Sequence, residues 1–181
     1  ARAVKKALPE IARAVDLIAG AFFKGGRLAY FGAGTSGRLG VLDAAECMPT
    51  FSVPDTMVQA FIAGGNAALR HAVENAEDSR KKALADINAF SPLPDDVVVG
   101  ISASGNPAYV LTVLEEARCR GANTVGITCN PEAKLKPLCD VCITAPVGPE
   151  VIAGSSRMKA GTAQKMILNM LSTASMIKIG K

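Results

Sequence analysis

The sequence predicts an α/β fold, a three-layer α/β/α sandwich built on a five-stranded parallel sheet. Three observations carry that expectation. Short apolar runs alternate with amphipathic helical stretches about five times along the 181 residues. The run Val97-Val-Val-Gly-Ile101 is continuously apolar and mostly β-branched, as a central parallel strand covered on both faces must be. Glycine- and serine-rich turns follow the first and third apolar runs, at the carboxyl ends of strands where such sheets bind ligands.

Taken in order, Val4, Leu8, Ile11, Val15, Ile18 and Phe22 recur every three to four residues and mark an amphipathic helix, which Pro9 either kinks or restarts. Arg27–Phe31 reads as the first strand, and the turn Gly32-Ala-Gly-Thr-Ser-Gly37 opens a helix over about Ser36–Cys47. Met57–Ile62 is the second strand, followed by Ala63-Gly-Gly65 and a helix from a capping Asn66 to about Asn75. Ser79 or Asp78 caps the next helix, Arg80–Asn88. After the third strand, Val97–Ile101, the turn Ser102-Ala-Ser-Gly-Asn106 leads into a helix ending near Arg120. Thr124–Thr128 and Val141–Ala145 are the fourth and fifth strands. Ser155 and Ser156 cap a long last helix, along which Ala163, Met166, Ile167, Met170, Leu171, Ala174 and Ile177 form one apolar stripe. A core face is the first expectation for that stripe and a homodimer face the second.

No repeat or linker divides the chain, so residues 1–181 are expected to form one domain. Hydrophobic residues make up 49%, which excludes disorder over most of the length. A chain of this size buries about two-thirds of its unfolded surface and needs neither disulfides nor a metal to hold its core. With no Trp and two Tyr it offers no stacking platform for single strands, and a net charge of +4 is too small and scattered for a duplex-binding stripe. A nucleic-acid partner is therefore not expected. No apolar run approaches ~18 residues, so no membrane span is expected either.

Five cysteines without framework spacing, and no leader segment before them, suggest free thiols and a cytoplasmic location. Cys139-Asp-Val-Cys142 has the C-x-x-C spelling, yet it lies in a run that reads as a strand, where residues three apart point to opposite faces. Neither metal nor redox use of the pair is expected. No acidic residue follows Glu150, whereas Arg157, Lys159, Lys165, Lys178 and Lys181 do. Such a segment suits a small anionic ligand, and equally a solvated helix face.

Gly32-Ala-Gly-Thr-Ser-Gly37 satisfies G-x-G-x-x-G after a strand and before a helix, so dinucleotide binding has to be weighed. That fold also needs an acidic residue at the tip of the second strand for the ribose hydroxyls. Here the strand ends in Ala63-Gly64-Gly65, which argues against a nucleotide cofactor. The hydroxyls point elsewhere: Thr35-Ser36 and Ser102-x-Ser104-Gly105 set side-chain oxygens beside backbone N–H groups at helix N-termini. A protein can hold a phosphate in that way with few cations.

The strands followed by GAGTSG and SASG turns resemble the sugar isomerase (SIS) phosphosugar-binding fold. More narrowly, Gly32-AGTSGRLGVLDAAEC-Cys47, Ile62-AGG-Gly65, Ala72-VENAEDS-Ser79 and Gly154-SSRMKAGTAQK-Lys165 closely resemble the bacterial N-acetylmuramic acid 6-phosphate etherases, over essentially the whole chain. Members of that family continue beyond both ends of this sequence, so residues 1–181 are expected to be an SIS core lacking N- and C-terminal segments. The resemblance implies a carbon–oxygen lyase that cleaves the D-lactyl ether to give N-acetylglucosamine 6-phosphate and D-lactate, in cell-wall sugar recycling. The open-chain C1 aldehyde acidifies the C2 proton, a base removes it, an acid protonates the departing ether oxygen at C3, and water adds to the unsaturated aldehyde. Two carboxyl groups of unequal pKa suffice, with no metal or cofactor.

The resemblance places the proton donor on Glu46, in Asp43-Ala-Ala-Glu46-Cys47, and the second catalytic glutamate on Glu77. An acid role for Glu46 needs desolvation, which the apolar neighbours Ala45, Cys47 and Met48 allow. Glu74, Glu77 and Asp78 crowd the end of an expected helix, where the macrodipole disfavours anions, so one of them is there for another reason. Phosphate and sugar contacts carried over from the fold are Gly34, Thr35, Ser36, Ser102, Ser104 and Gly105, with Asn106 standing where many SIS proteins have Thr. Glu150, Arg157 and Lys159, before or at the start of the last helix, are candidates to meet the sugar or phosphate. His71 is either structural or reaches the ligand of a neighbouring subunit. The implied partners are a small phosphosugar and a second copy, in a homodimer with sites near the interface. Two alternatives stand beside the lyase, a non-catalytic phosphosugar sensor resembling the glucokinase regulatory proteins and an aldose–ketose phosphosugar isomerase. Glu46 and Glu77 together favour the lyase.

Overall fold

The β-branched run at the centre of the sequence is the centre of the sheet. The computed structural model describes all 181 residues and contains five parallel strands: β1 (Leu28–Gly32), β2 (Val58–Ile62), β3 (Val97–Ile101), β4 (Asn123–Thr128) and β5 (Val141–Thr144). Their order is β2-β1-β3-β4-β5, with Leu28 opposite both Val58 and Val97. β1 and β3 are buried at every position, while the edge strands β2 and β5 are only partly covered. The order reverses between β1 and β3: the connection from β1 leads outward to β2, and the chain then returns to the other side of β1. The loops after these two strands diverge and leave a crevice at their carboxyl ends.

Seven helices flank the sheet: α1 (Arg2–Lys6), α2 (Leu8–Phe23), α3 (Gly34–Phe51), α4 (Ala67–Arg70), α5 (Arg80–Phe90), α6 (Ala108–Cys119) and α7 (Lys159–Lys178). On one face α1, α2, α3 and α7 enclose a core that includes Ile18, Leu28, Val99, Ile167 and Leu171. On the other, α5 and α6 cover Phe31, Ile87, Phe90, Val113 and Leu114. Both cores are continuous apolar clusters, which is the three-layer arrangement expected from the sequence. No helix is long and apolar enough to cross a membrane.

At the end of the sheet opposite the crevice, Asp96 ties β1 to β3. Its carboxylate accepts from the Arg27 backbone N–H at 2.7 Å, from the Arg27 guanidinium at 2.6 and 3.2 Å, and from the Leu93 N–H at 2.9 Å. Arg27 also lies over the Phe90 ring, 4.3 Å from its centroid. Burial opposes ionisation of Asp96, but these donors outweigh it and hold the carboxyl below the usual carboxylate range.

Of the two expectations for Pro9 the restart holds: the first helix is two, broken at Ala7, with Pro9 in the first turn of α2 where no N–H is needed. The structure departs from the expected elements at three places. The helix expected to run to Asn75 stops at Arg70, because the Arg38 guanidinium from α3 donates to the Leu69 and His71 carbonyls at 3.1 and 3.2 Å and closes its end. The chain then passes through left-handed Asn75 (φ 56°) into a 3-10 turn, Ala76–Asp78. Glu77 and Asp78 thus stand just ahead of α5, where the helix dipole favours anions, and not at a helix C-terminus. The second departure is the start of α7, capped not by Ser155 or Ser156 but by the Glu150 carboxylate, which accepts from the N–H groups of Lys159 and Ala160, both at 3.0 Å. Finally, Cys139 precedes β5, so strand alternation does not separate it from Cys142. Both sulfurs lie within 3.6 Å of the point where a Cβ on Gly126 would stand, and that glycine makes the room for them.

Candidate functional site

The crevice above β1 and β3 holds a cavity of about 220 Å³ whose polar lining consists of Ser36, Ser102, Ser104, Ser156 and Glu77. They arrive from four pieces of backbone. Ser36 sits in the first turn of α3, which starts directly on β1 because Gly37 has no side chain: a Cβ there would be 2.6 Å from the Gly32 carbonyl oxygen. Ser102 follows β3, and its hydroxyl accepts from the Gly105 N–H at 3.0 Å, curling the turn so that Ser104 faces back toward it at 3.5 Å. Gly105 takes φ +70°, a conformation that disfavours any side chain.

The loop after β4 holds that turn from behind. The Asn130 amide donates to the Ser104 carbonyl at 3.0 Å, the Lys134 N–H to the Asn106 side chain at 3.2 Å, and the Leu135 N–H to the Gly105 carbonyl at 3.1 Å. Glu77 enters from the 3-10 turn and borders a second cavity of about 220 Å³, lined by Gly34, Arg38 and the small apolar side chains Ala63, Ala68, Ala72 and Val73. One carboxylate therefore stands between a hydroxyl-rich chamber and an alanine-lined one. No cation lines the first chamber, so an anion there would be held by hydroxyls and by the backbone N–H groups at the start of α3.

Ser36, Ser102, Ser104 and Glu77, all anticipated from the sequence, converge on this chamber. The remaining anticipated residues do other things. Gly34 (φ +54°) borders the second cavity, and Gly105 shapes its turn without lining the chamber. Thr35 turns its methyl toward α7, 3.2 Å from where a Cβ on Gly161 would be. Asn106 spends its side-chain oxygen on the Lys134 N–H. Glu150 caps α7, and the N–H groups of Ala160 and then Lys159 hold its carboxyl below the usual range. Lys159 donates its ammonium to the Pro149 carbonyl at 2.8 Å and, with Arg157, lines a separate cavity of about 530 Å³. His71 is exposed, and its carbonyl anchors Arg38.

Glu46 is exposed on α3, ten residues past Ser36, or about 15 Å along the helix at 1.5 Å per residue. It does not line the chamber that Glu77 borders. Its neighbour Cys47 is buried, donates to the Asp43 carbonyl at 3.2 Å, and is pushed up to about 12 by burial and then by Asp43. Asp43 itself is 5% exposed and accepts from Tyr30 at 2.9 Å, Asn169 at 2.7 Å and Ser172 at 3.1 Å, which pins α3 to β1 and α7.

Sequence reasoning missed Ser156, which lines the chamber, and Gln164, fully buried, whose side-chain oxygen accepts from the Ser36 hydroxyl at 2.9 Å. Both lie in the Gly154-SSRMKAGTAQK-Lys165 block. The serine pair before a helix is the available signal, and its spelling is equally that of a helix cap.

Comparison with known proteins bears on this geometry. The family profile of the glucokinase regulatory protein N-terminal SIS domain matches residues 10–118, and that of the SIS domain matches residues 70–174. Over 179 residues the chain is 59% identical to an N-acetylmuramic acid 6-phosphate etherase of Pasteurella multocida, covering 99% of this chain and 60% of that protein. Over 181 residues it is 57% identical to one of Edwardsiella ictaluri, covering 100% and 60%. The chain thus spans about 60% of the length of these curated relatives. Among solved structures, the phosphoheptose isomerase GmhA of Neisseria gonorrhoeae matches with a TM-score of 0.70 at 19% identity, over 96% of this chain and 91% of that one. The Vibrio vulnificus NanR protein complexed with ManNAc-6P matches at 0.61 and 14% identity, over 91% and 52%. At those identities the likeness is one of fold.

Proposed function

The chain belongs to the SIS domain family, and we propose that it is the phosphosugar-binding core of an N-acetylmuramic acid 6-phosphate etherase. The observation that carries this reading is the chamber at the switch point between β1 and β3, where four serine hydroxyls face one carboxylate. Its chemistry suits a phosphosugar, and the 54–59% identity to named etherases along nearly the whole chain supports the choice of substrate.

In this reading the phosphate sits against Ser36, Ser102, Ser104 and Ser156, and Glu77 at the rim is the base that takes the C2 proton of the open-chain sugar. The anion formed is delocalised onto the C1 aldehyde oxygen; the C3–O bond breaks with protonation of the departing lactate oxygen, and water adds to the resulting double bond. Glu46 is the acid. Because about 15 Å of helix separates it from Ser36, it serves a chamber that a second copy completes, and the working unit is a homodimer. The exposed apolar groove along α7, bordered by Met166, Met170, Ala174 and Ile177, with Leu42 on α3, is the surface offered to that copy. The enzyme works in the cytoplasm, where its five free cysteines stay reduced.

The test is incubation of the protein with N-acetylmuramic acid 6-phosphate and assay of D-lactate. Release of D-lactate together with N-acetylglucosamine 6-phosphate is expected. The match of residues 10–118 to a regulatory-protein domain favours a second reading, a phosphosugar sensor. Tight binding without D-lactate would select it, and absence of binding would refute both. In the Glu46→Gln variant ether cleavage should stop while some solvent exchange at C2 persists; wild-type turnover would remove Glu46 from the mechanism.

A further inference from the structure

Gln164 is the one buried side chain beside the chamber whose presence packing does not explain. It lies on α7, fully enclosed, and its carbonyl oxygen accepts the Ser36 hydroxyl at 2.9 Å while its amide nitrogen has no partner. α7 approaches α3 closely here: a Cβ on Gly161, three residues earlier on the same face, would stand 3.2 Å from the Thr35 methyl, tighter than an ordinary contact. An apolar side chain of the same length would fill the space and leave no idle donor, so the amide costs stability at this position.

What the amide does is dispose of the Ser36 proton. A serine hydroxyl has one proton and two lone pairs. With its proton given to Gln164, Ser36 presents only lone pairs to the chamber and accepts from a donor such as a sugar hydroxyl. If the amide turns over end for end, its nitrogen donates to Ser36 and the serine proton is released toward an anion. In both orientations Gln164 holds the serine oxygen in place and sets the direction of its proton.

We propose that Gln164 is a positioning residue that fixes the hydroxyl of Ser36 for phosphosugar recognition, acting through Ser36 and without touching the ligand. This rests on the reading of the chamber as the phosphosugar site. The fully buried amide and its direct bond to a chamber residue follow from one role, whereas packing alone would be served as well by an apolar side chain that left no donor idle.

The experiment is a double-mutant cycle on ligand affinity, with Gln164→Met, Ser36→Ala and the double variant. N-acetylmuramic acid 6-phosphate and glucose 6-phosphate are titrated by calorimetry, and thermal unfolding is followed in parallel. Methionine matches glutamine in length and offers no hydrogen bond; Gln164→Leu is the second variant should Gln164→Met fold poorly. Gln164→Met should weaken binding about tenfold, the weight of about one hydrogen bond. On top of Ser36→Ala it should change binding less than about twofold, because the serine through which it acts is gone. Its melting temperature should equal or exceed that of the wild type. Unchanged affinity in Gln164→Met, or additive losses in the double variant, overturns the assignment while leaving the chamber reading intact. A wild-type protein that binds neither ligand removes the chamber reading and the assignment with it.

Discussion

Replacing Gly37 with alanine tests how the first turn of α3 is seated. An alanine Cβ at that position would stand 2.6 Å from the Gly32 carbonyl oxygen and 2.6 Å from Ile62 Cγ1, where ordinary contacts begin at 3.4 Å. The carbonyl is backbone in β1 and also accepts the Ala63 N–H at 2.9 Å, so it cannot rotate away. The helix start must therefore withdraw by roughly 0.8 Å, the difference between 3.4 and 2.6 Å. Overpacking of this kind costs about 1–3 kcal/mol, against a gain of at most about 1 kcal/mol from replacing glycine inside a helix. A net loss of about 1–2 kcal/mol is expected in urea unfolding. The displacement falls on Ser36, the adjacent residue, and lengthens a 2.9 Å bond to Gln164 beyond useful range. Phosphosugar affinity should fall about tenfold or more. Gly20→Ala is the control: it makes the same chemical change inside α2, where nothing lies within 4 Å, and should stabilise by about 0.5–1 kcal/mol. If Gly37→Ala proved as stable as Gly20→Ala and bound ligand like the wild type, the close seating of α3 on β1 would be wrong.

Other outcomes follow from the same geometry. Asp96→Ala removes a carboxylate that is 1% exposed and leaves Arg27 and Leu93 without their acceptor, for a loss of about 3 kcal/mol in urea unfolding with binding intact. Because Asp96 is held below the carboxylate range, its contribution is present above an unfolded pKa of about 3.9 and is lost as pH falls through the lower folded value. The stability gap between wild type and Asp96→Ala should accordingly close below about pH 4. Glu77→Gln should keep phosphosugar affinity within a few-fold and lower D-lactate release at least about 100-fold, the ordinary weight of a general base; near-normal turnover would dismiss it as the base. Met170→Glu puts a charge into the exposed groove of α7 and should shift sedimentation from dimer to monomer at micromolar concentration. A wild-type protein that already sediments as a monomer would remove that groove as an interface.

Much of the fold was readable because the signals were local and repeated. Short apolar runs marked all five strands to within a residue or two, and glycines at 32, 34 and 37 marked the turn onto α3. Ser36, Ser102 and Ser104 were legible because two hydroxyl-bearing turns at strand ends are harder to attribute to helix capping than one. The failures share a different cause. The helix ending at Arg70 is closed by Arg38, 31 residues earlier for one carbonyl and 33 for the other, and α7 is capped by Glu150, nine and ten residues before the groups it holds. No window on the sequence contains both partners of the first pair. The cap on α7 was missed because two serines nearer the helix offered a conventional alternative.

The sequence by itself determined the three layers, the parallel strands and the hydroxyl-bearing turns, because hydrophobic period and turn chemistry act between residues close in the chain. Tertiary structure decided what meets at the crevice. It set Gln164 against Ser36 across 128 residues, brought Ser156 to the chamber, and gave Glu150 and Asn106 to the support of backbone. It also left Glu46 exposed on α3 and outside the chamber that Glu77 borders. Which hydroxyls and carboxylates share a cavity depends on where helices of fixed pitch land on a sheet of fixed order, and only the folded chain contains that information.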